Sequence, residues 1–128
     1  MLDNNKIEKQ FVTYEIALKL KELDFDEEVI ALYDTEFVET KCKLNIFAFT
    51  VPNKGVFEEG FKKGWCIKAP LWSQVIGWLK LNHKILIAEL WDGWEFAKED
   101  EDFIACETLE QAILEVIEII NKTQTNGK

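Results

Sequence analysis

Apolar residues recur at helical spacing in three separate stretches of this 128-residue chain, and β-prone runs fill the gaps between them. That alternation of periods constrains the fold more than any other feature, because each element must bury one face against the others. In the first stretch Ile16, Ala17, Leu20 and Leu23 fall on one face, with Leu18 beside them. Thr13 is placed to cap this helix and Glu15 sits in its first turn, so a short helix is expected over Tyr14 to Leu23. Asp24 to Glu28 breaks it. Val29 to Tyr33 and Phe37 to Lys43 read as strands about a turn at Asp34-Thr35-Glu36. Leu44 to Val51 either continues the second strand or makes a third, and Pro52-Asn53 closes it. Lys54 to Lys68, with Gly55, Gly60 and Gly64, is irregular in pattern and reads as loop.

Pro70 suits the first turn of a second helix, along which Leu71, Val75, Trp78 and Leu79 form a stripe up to Asn82-His83-Lys84. Ile85 to Trp91 and Trp94 to Lys98 then flank Asp92-Gly93, the strongest hairpin signal in the chain. That turn would set Trp91 against Trp94, Glu89 against Phe96 and Ala88 against Ala97. Phe103 to Cys106 is a short extended segment. The last helix is the clearest element: Thr108 and Gln111 make a capping box, and Leu109, Ala112, Ile113, Val116, Ile117 and Ile120 trace its apolar face. The expectation is a single α+β domain over residues 1–128, a small antiparallel sheet with about three helices packed on it and polar tails at 1–10 and 122–128. The element order is α-β-β-(β)-α-β-β-(β)-α.

Charge narrows the partners. The chain carries 24 acidic and 15 basic residues, a net −9, and every basic residue is lysine. Without the guanidinium fork, and with an excess of negative charge, direct nucleic-acid binding is disfavoured. The charge is also lopsided. From Glu89 to Glu118 eleven acids face Lys98 alone, whereas Lys41 to Ala88 holds eight lysines and only Glu58 and Glu59. Such a segment is either a solvated surface or a face for a basic partner. No apolar run approaches the ~20 residues that span a bilayer. The polar start of the chain lacks a signal-peptide core, and Cys42, Cys66 and Cys106 are an odd, scattered set, so a cytoplasmic setting with reduced thiols is expected.

The catalytic inventory is poor. Gly55-x4-Gly60 is followed by Phe61 where a phosphate loop needs lysine, and no hydroxyl residue comes next. His83 sits at a helix end, where histidine is commonly structural, and no nearby motif supplies it with a nucleophile. Glu99-Asp100-Glu101-Asp102 lacks the central glycine and distal glutamate of a calcium loop. Glu89 and Glu95 fall on opposite faces of the expected hairpin, which argues against a paired acid and base. No catalytic residue, metal or cofactor is assigned. All five tryptophans lie between Trp65 and Trp94. Trp78 belongs to a helix stripe and Trp91 and Trp94 to the hairpin, while Trp65 and Trp72 flank Pro70 and are less easily placed.

Three segments resemble a known group. Phe11-Val12-Thr13-Tyr14-Glu15-Ile16-Ala17-Leu18-Lys19-Leu20-Lys21-Glu22-Leu23-Asp24-Phe25-Asp26-Glu27, then Ala69-Pro70-Leu71-x-x-Gln74-x-x-x-Trp78-Leu79, then Thr108-Leu109-Glu110-Gln111-Ala112 are similar to a family of small uncharacterised proteins of Bacteroidetes genomes and of their phages and mobile elements. The resemblance covers most of the chain and implies a phage or mobile-element setting. It brings no catalytic residues. Asp24 stands where the family commonly has glycine, so a tight left-handed cap is not expected there.

Two functional expectations follow, from different classes. The first is a non-enzymatic interaction protein of the bacterial cytoplasm, or virion-associated, whose acidic face (Glu95, Glu99, Asp100, Glu101 and Asp102) docks a basic protein. The second is a binder of, or enzyme on, an anionic metabolite or nucleotide, with a pocket walled by Trp65 and Trp72 and with Lys62 and Lys63 holding the anion. Self-assembly through a sheet edge is a generic third, and the oligomeric state is not set by the sequence.

Overall fold

The computed structural model describes residues 7–34 and 43–126 and divides the chain into two compact units, Met1–Trp72 and Ser73–Lys128. The fold class is α+β, with four helices and two three-stranded antiparallel sheets among the described residues.

In the first unit, helix α1 (Tyr14–Glu22) begins as its sequence dictates: the Thr13 hydroxyl accepts from the Ile16 amide at 3.3 Å. Its end departs from expectation. Asp24 takes φ +63°, and the amides of Asp24 and Phe25 return to the carbonyls of Lys21 and Leu20, both at 3.0 Å. These two bonds are the pair that closes a helix on a left-handed residue, with Asp24 in the place usually held by glycine. Aspartate tolerates that region better than most residues, and the motif brings Phe25 back over Leu20. Ile16, Ala17 and Leu20 are the buried face of the helix.

Strand β1 (Val29–Asp34) is the centre of the first sheet, with β2 (Lys43–Val51) on one side and β3 (Cys66–Lys68) on the other. Leu44 to Val51 is thus one strand paired to β1, with Asp34 opposite Lys43 and Val29 opposite Val51. The register slips between Val29 and Ala31. Of the expected turn at Asp34-Thr35-Glu36 and the strand over Phe37 to Lys43, residues 35–42 lie outside the described residues; Asp34 is the last residue of β1 and Lys43 the first of β2. The segment read as loop over Lys54 to Lys68 holds two elements instead: a short helix α2 (Glu58–Lys63) and β3. Gly64, at φ +77°, ends α2. Six residues are too few for a periodic signal and three too few for an alternation, so neither element was visible in the pattern.

Phe11, Ala31 and Ala69 form a buried cluster flanked by Ile7, Ile30, Tyr33, Leu44 and Leu71. The Tyr33 hydroxyl donates to the Val12 carbonyl at 2.7 Å, and its ring meets Tyr14 edge-on at 5.4 Å. Residues 10–12 and 70–72 also pair as extended chain: Val12 donates to the Pro70 carbonyl and Trp72 to the Gln10 carbonyl, each at 3.0 Å. Pro70 and Leu71 therefore precede helix α3 (Trp72–His83) rather than opening it. Their backbone is committed to residues 10–12, so the helix cannot start earlier.

In the second unit, the buried stripe of α3 is Val75, Trp78 and Leu79, as its spacing requires. Strands β4 (Ile85–Leu90), β5 (Gly93–Lys98) and β6 (Ile104–Cys106) form a sheet in that order. The hairpin is present, but its register is not the expected one. Leu90 opposes Gly93, Glu89 opposes Trp94 and Ala88 opposes Glu95, so the turn is Trp91-Asp92 and Gly93 is a strand residue. Gly93 lacks the positive φ of a primed turn. A side chain there would put its Cβ 2.7 Å from the Cys106 carbonyl oxygen. The glycine answers to the approach of β6, not to the turn.

Helix α4 (Leu109–Asn126) packs on β5 and β6 and buries Ala112, Ile113, Val116, Ile117 and Ile120. The Gln111 amide donates to the Thr108 hydroxyl at 3.1 Å. The return bond is displaced by one residue: the Gln111 side chain accepts from the Glu107 amide at 3.2 Å, not from that of Thr108. The helix continues to Asn126, past the point where the polar composition suggests a tail.

Candidate functional site

Two regions hold the sequence-predicted residues, one in each unit. In the second unit, Glu99, Asp100, Glu101 and Asp102 are gathered in the connection from β5 to β6 and all are exposed. Asp100 lies at φ +68°, and the Glu101 amide closes on the Lys98 carbonyl at 3.0 Å, which fixes a tight turn with its carboxylates outward. Glu95 is not with them. It sits mid-strand between Ala88 and Ala105, half-buried, about 13 Å back along β5 at ~3.3 Å per residue. Glu89 and Glu95 remain on opposite faces in the true register, since Glu89 opposes Trp94 and Glu95 is its neighbour along the strand.

None of these four turn carboxylates has an ion pair among the described residues. Lys98, the one lysine of the segment, points its ammonium at the Thr123 hydroxyl, 3.3 Å away. Directly after the acids come Phe103 and Ile104, 50% and 49% exposed. At the hairpin tip Trp91 is 98% exposed and does not stand against Trp94, which opposes Glu89 instead. Trp91 is followed by Asp92 and comes two residues after the exposed Glu89. The exposed aromatics of this unit thus have carboxylates beside them in the chain.

His83 ends α3 and meets Trp78 edge-on at 5.0 Å. Burial pushes its imidazole below the ordinary histidine value, which favours the uncharged ring. Cys106 is buried, and its thiol donates to a carboxylate oxygen of Glu115 at 3.0 Å. Burial first, then that bond and the charge of Glu115, push the thiol up to about 11. A thiol so protected is a hydrogen-bond donor, not a nucleophile. Among the described residues no three His, Cys, Asp or Glu side chains converge to hold a metal ion. Nor is any described helix long and apolar enough to cross a membrane.

Of the four residues expected to wall a ligand pocket in the first unit, Lys63 and Trp65 come together, and each of the four has a partner of its own. Lys62 and Lys63 are tied back along α2 to Glu58 and Glu59, at 3.5 and 3.1 Å. Trp65 is half-exposed with the Lys63 ammonium over its ring at 4.9 Å. The Trp72 indole donates to the Lys9 carbonyl at 2.8 Å. Yet a cleft of about 540 Å³ does open in this unit, between α1, α2 and β3, and of those four residues only Lys62 lines it.

The walls of the cleft are held from several places in the chain. Asn53 anchors the irregular segment after α1: its amide side chain donates to the Asp26 carbonyl at 2.8 Å and its backbone amide donates to Glu28 at 3.0 Å. Lys68 completes the clamp, donating to the Glu27 carbonyl at 3.0 Å and to the Asn53 side-chain oxygen. Its ammonium also lies 5.4 Å above the Phe61 ring. Burial lowers the Lys68 value, against the pull of Asp26, Glu28 and Glu27. Cys66 faces the same cleft; burial and then Asp34 raise its thiol, and Lys21 opposes them. Gly60 permits this packing, because a Cβ there would stand 2.8 Å from the Cys66 sulfur.

Sequence reasoning missed the cleft because its clamp joins residues up to 41 positions apart. Pro52-Asn53 was the only local signal, and it marks a turn without showing what Asn53 reaches. No family model, no curated protein and no solved structure matches this chain.

Proposed function

We propose that the chain is a non-enzymatic accessory protein, encoded by a phage or mobile element, that docks a basic protein through the sheet of its second unit. One observation carries the reading: carboxylates without ion-pair partners among the described residues stand beside exposed aromatic and aliphatic side chains, at Asp102-Phe103-Ile104 and again at Trp91-Asp92. An exposed tryptophan contributes nothing to a core, whereas tryptophan is, with tyrosine and arginine, enriched at interface hot spots. Flanking carboxylates add attraction for lysine- and arginine-rich surfaces and speed encounter. Glu99, Asp100, Glu101 and Asp102 form the docking turn, with Glu95 on the strand behind. The resemblance supports the phage or mobile-element setting and a host-cytoplasm or virion location.

The test is a tagged pull-down from host lysate, with and without phage infection, quantified by mass spectrometry. A stoichiometric, salt-sensitive partner should be captured by the native chain. It should be lost when the four turn acids are reversed to lysine, and weakened by Trp91→Ala. Trp91→Ala should melt close to the native midpoint, and the fourfold reversal slightly below it, because lysine at position 100 takes φ +68° less readily than aspartate; neither set of side chains is buried or ion-paired among the described residues. Undiminished capture by both folded variants would sink the reading.

A further inference from the structure

We propose that the cleft of the first unit is a binding site for a small amphiphilic anion, an apolar or aromatic body carrying one carboxylate or one phosphate monoester. At about 540 Å³ the cleft lies within the range of pockets that enclose small organic ligands. Its apolar surface comes from Leu20, Phe25, Phe61 and Ile67. Phe61 is the inner end of a row of rings, Phe47–Phe57 at 5.7 Å and Phe57–Phe61 at 6.4 Å, so the aromatic surface continues behind the wall.

The sign of the ligand charge follows from which polar groups are already engaged. Lys62 and Glu58 neutralise each other, and Lys68 is used by the clamp on Glu27 and Asn53. Asp26 has its own interactions. Lys21 and Lys54 line the cleft without a hydrogen bond or ion pair among the described residues. Two unengaged ammonium groups on the lining of an apolar cleft favour a ligand with an anionic head over a neutral one. Asp24, on the same lining, repels a highly charged ligand, so a nucleoside triphosphate fits this site less well than a singly substituted anion. The clamp orders the wall before any ligand arrives, which spares binding the cost of ordering it.

The experiment uses the full chain, labelled with ¹⁵N, and four probes: 1-naphthyl phosphate, laurate, neutral 1-naphthol and inorganic phosphate. Binding is followed by amide shifts and by calorimetry. At least one of the two amphiphilic anions should bind one-to-one, more tightly than naphthol and more tightly than phosphate alone. Its shifts should centre on Leu20, Lys21, Asn53, Phe61 and Ile67. Which of the two binds tighter separates an aryl phosphate from an acyl carboxylate as the natural chemistry.

The double variant Lys21→Met and Lys54→Met should weaken the anion about tenfold, the loss expected for charge-assisted hydrogen bonds, while naphthol affinity stays within about twofold. Both lysines are exposed, so the variant should fold as the native chain does. Anions that bind no better than naphthol, shifts centred elsewhere, native affinity in the double variant, or no binding at millimolar probe would each overturn the proposal. The shift map on the native chain stands whether or not the variant is well behaved.

Discussion

Replacing Gly93 by alanine tests the reason for that glycine. An alanine Cβ would lie 2.7 Å from the Cys106 carbonyl oxygen, and the nearest ordinary contact begins near 3.4 Å. Strand β6 must therefore retreat by about 0.7 Å, and the offending atom is backbone, so no side chain can swing aside. Overpacking of this kind costs about 1–3 kcal/mol. Alanine also restricts the unfolded chain, which returns about 0.4–1 kcal/mol because Gly93 does not use a positive φ. The central values leave a net loss of about 1.3 kcal/mol, read from the urea midpoint at unchanged slope.

Gly93→Asn separates the two possible causes. A turn that needed a left-handed residue would accept asparagine more readily than alanine, whereas a steric clash with β6 makes the larger side chain at least as damaging. Gly77→Ala is the control. It lies inside α3, a Cβ there meets nothing within 4 Å, and the helix should gain about 0.5–1 kcal/mol. A Gly93→Ala protein as stable as the native one, or an asparagine variant more stable than the alanine one, would refute the steric account.

Further outcomes follow from the same structure. Asp24→Gly should stabilise the first unit by up to about 1 kcal/mol in urea unfolding, because glycine adopts φ +63° without the crowding that aspartate bears. Tyr33→Phe should cost about 1 kcal/mol, since it leaves the Val12 carbonyl without the 2.7 Å bond from the phenol. The raised thiol of Cys106 makes a contribution that is fully present below the unfolded thiol value near 9 and is lost as pH rises through about 11. Stability should therefore fall across that alkaline window more in the native protein than in Cys106→Ala, and thiolate absorbance should place the titration of this group above that of a free cysteine.

Much of the architecture was legible because it depends on local pattern. Helices α1, α3 and α4 carry enough turns for an apolar stripe to show, and their interior residues are buried as the spacing requires. Thr13 and Thr108 are caps in the sequence and caps in the structure, since a cap reaches only three residues along the chain. The acidic turn was legible too, because four adjacent carboxylates cannot be buried without partners. The α+β class follows from these elements alone.

What the tertiary structure decided is register, termination and concavity. Asp92-Gly93 has the composition of a two-residue turn, but the nearness of Cys106 on a third strand claims the glycine and moves the turn back to Trp91-Asp92. Pro70 has the composition of a helix start, but pairing of residues 70–72 with 10–12 holds it extended. The cleft depends on Asn53 and Lys68 reaching the segment after α1, so no window of sequence contains it. Periodicity and capping act within a few residues and can be read along the chain. Steric approach between strands and a clamp across dozens of residues exist only once the chain has folded back on itself.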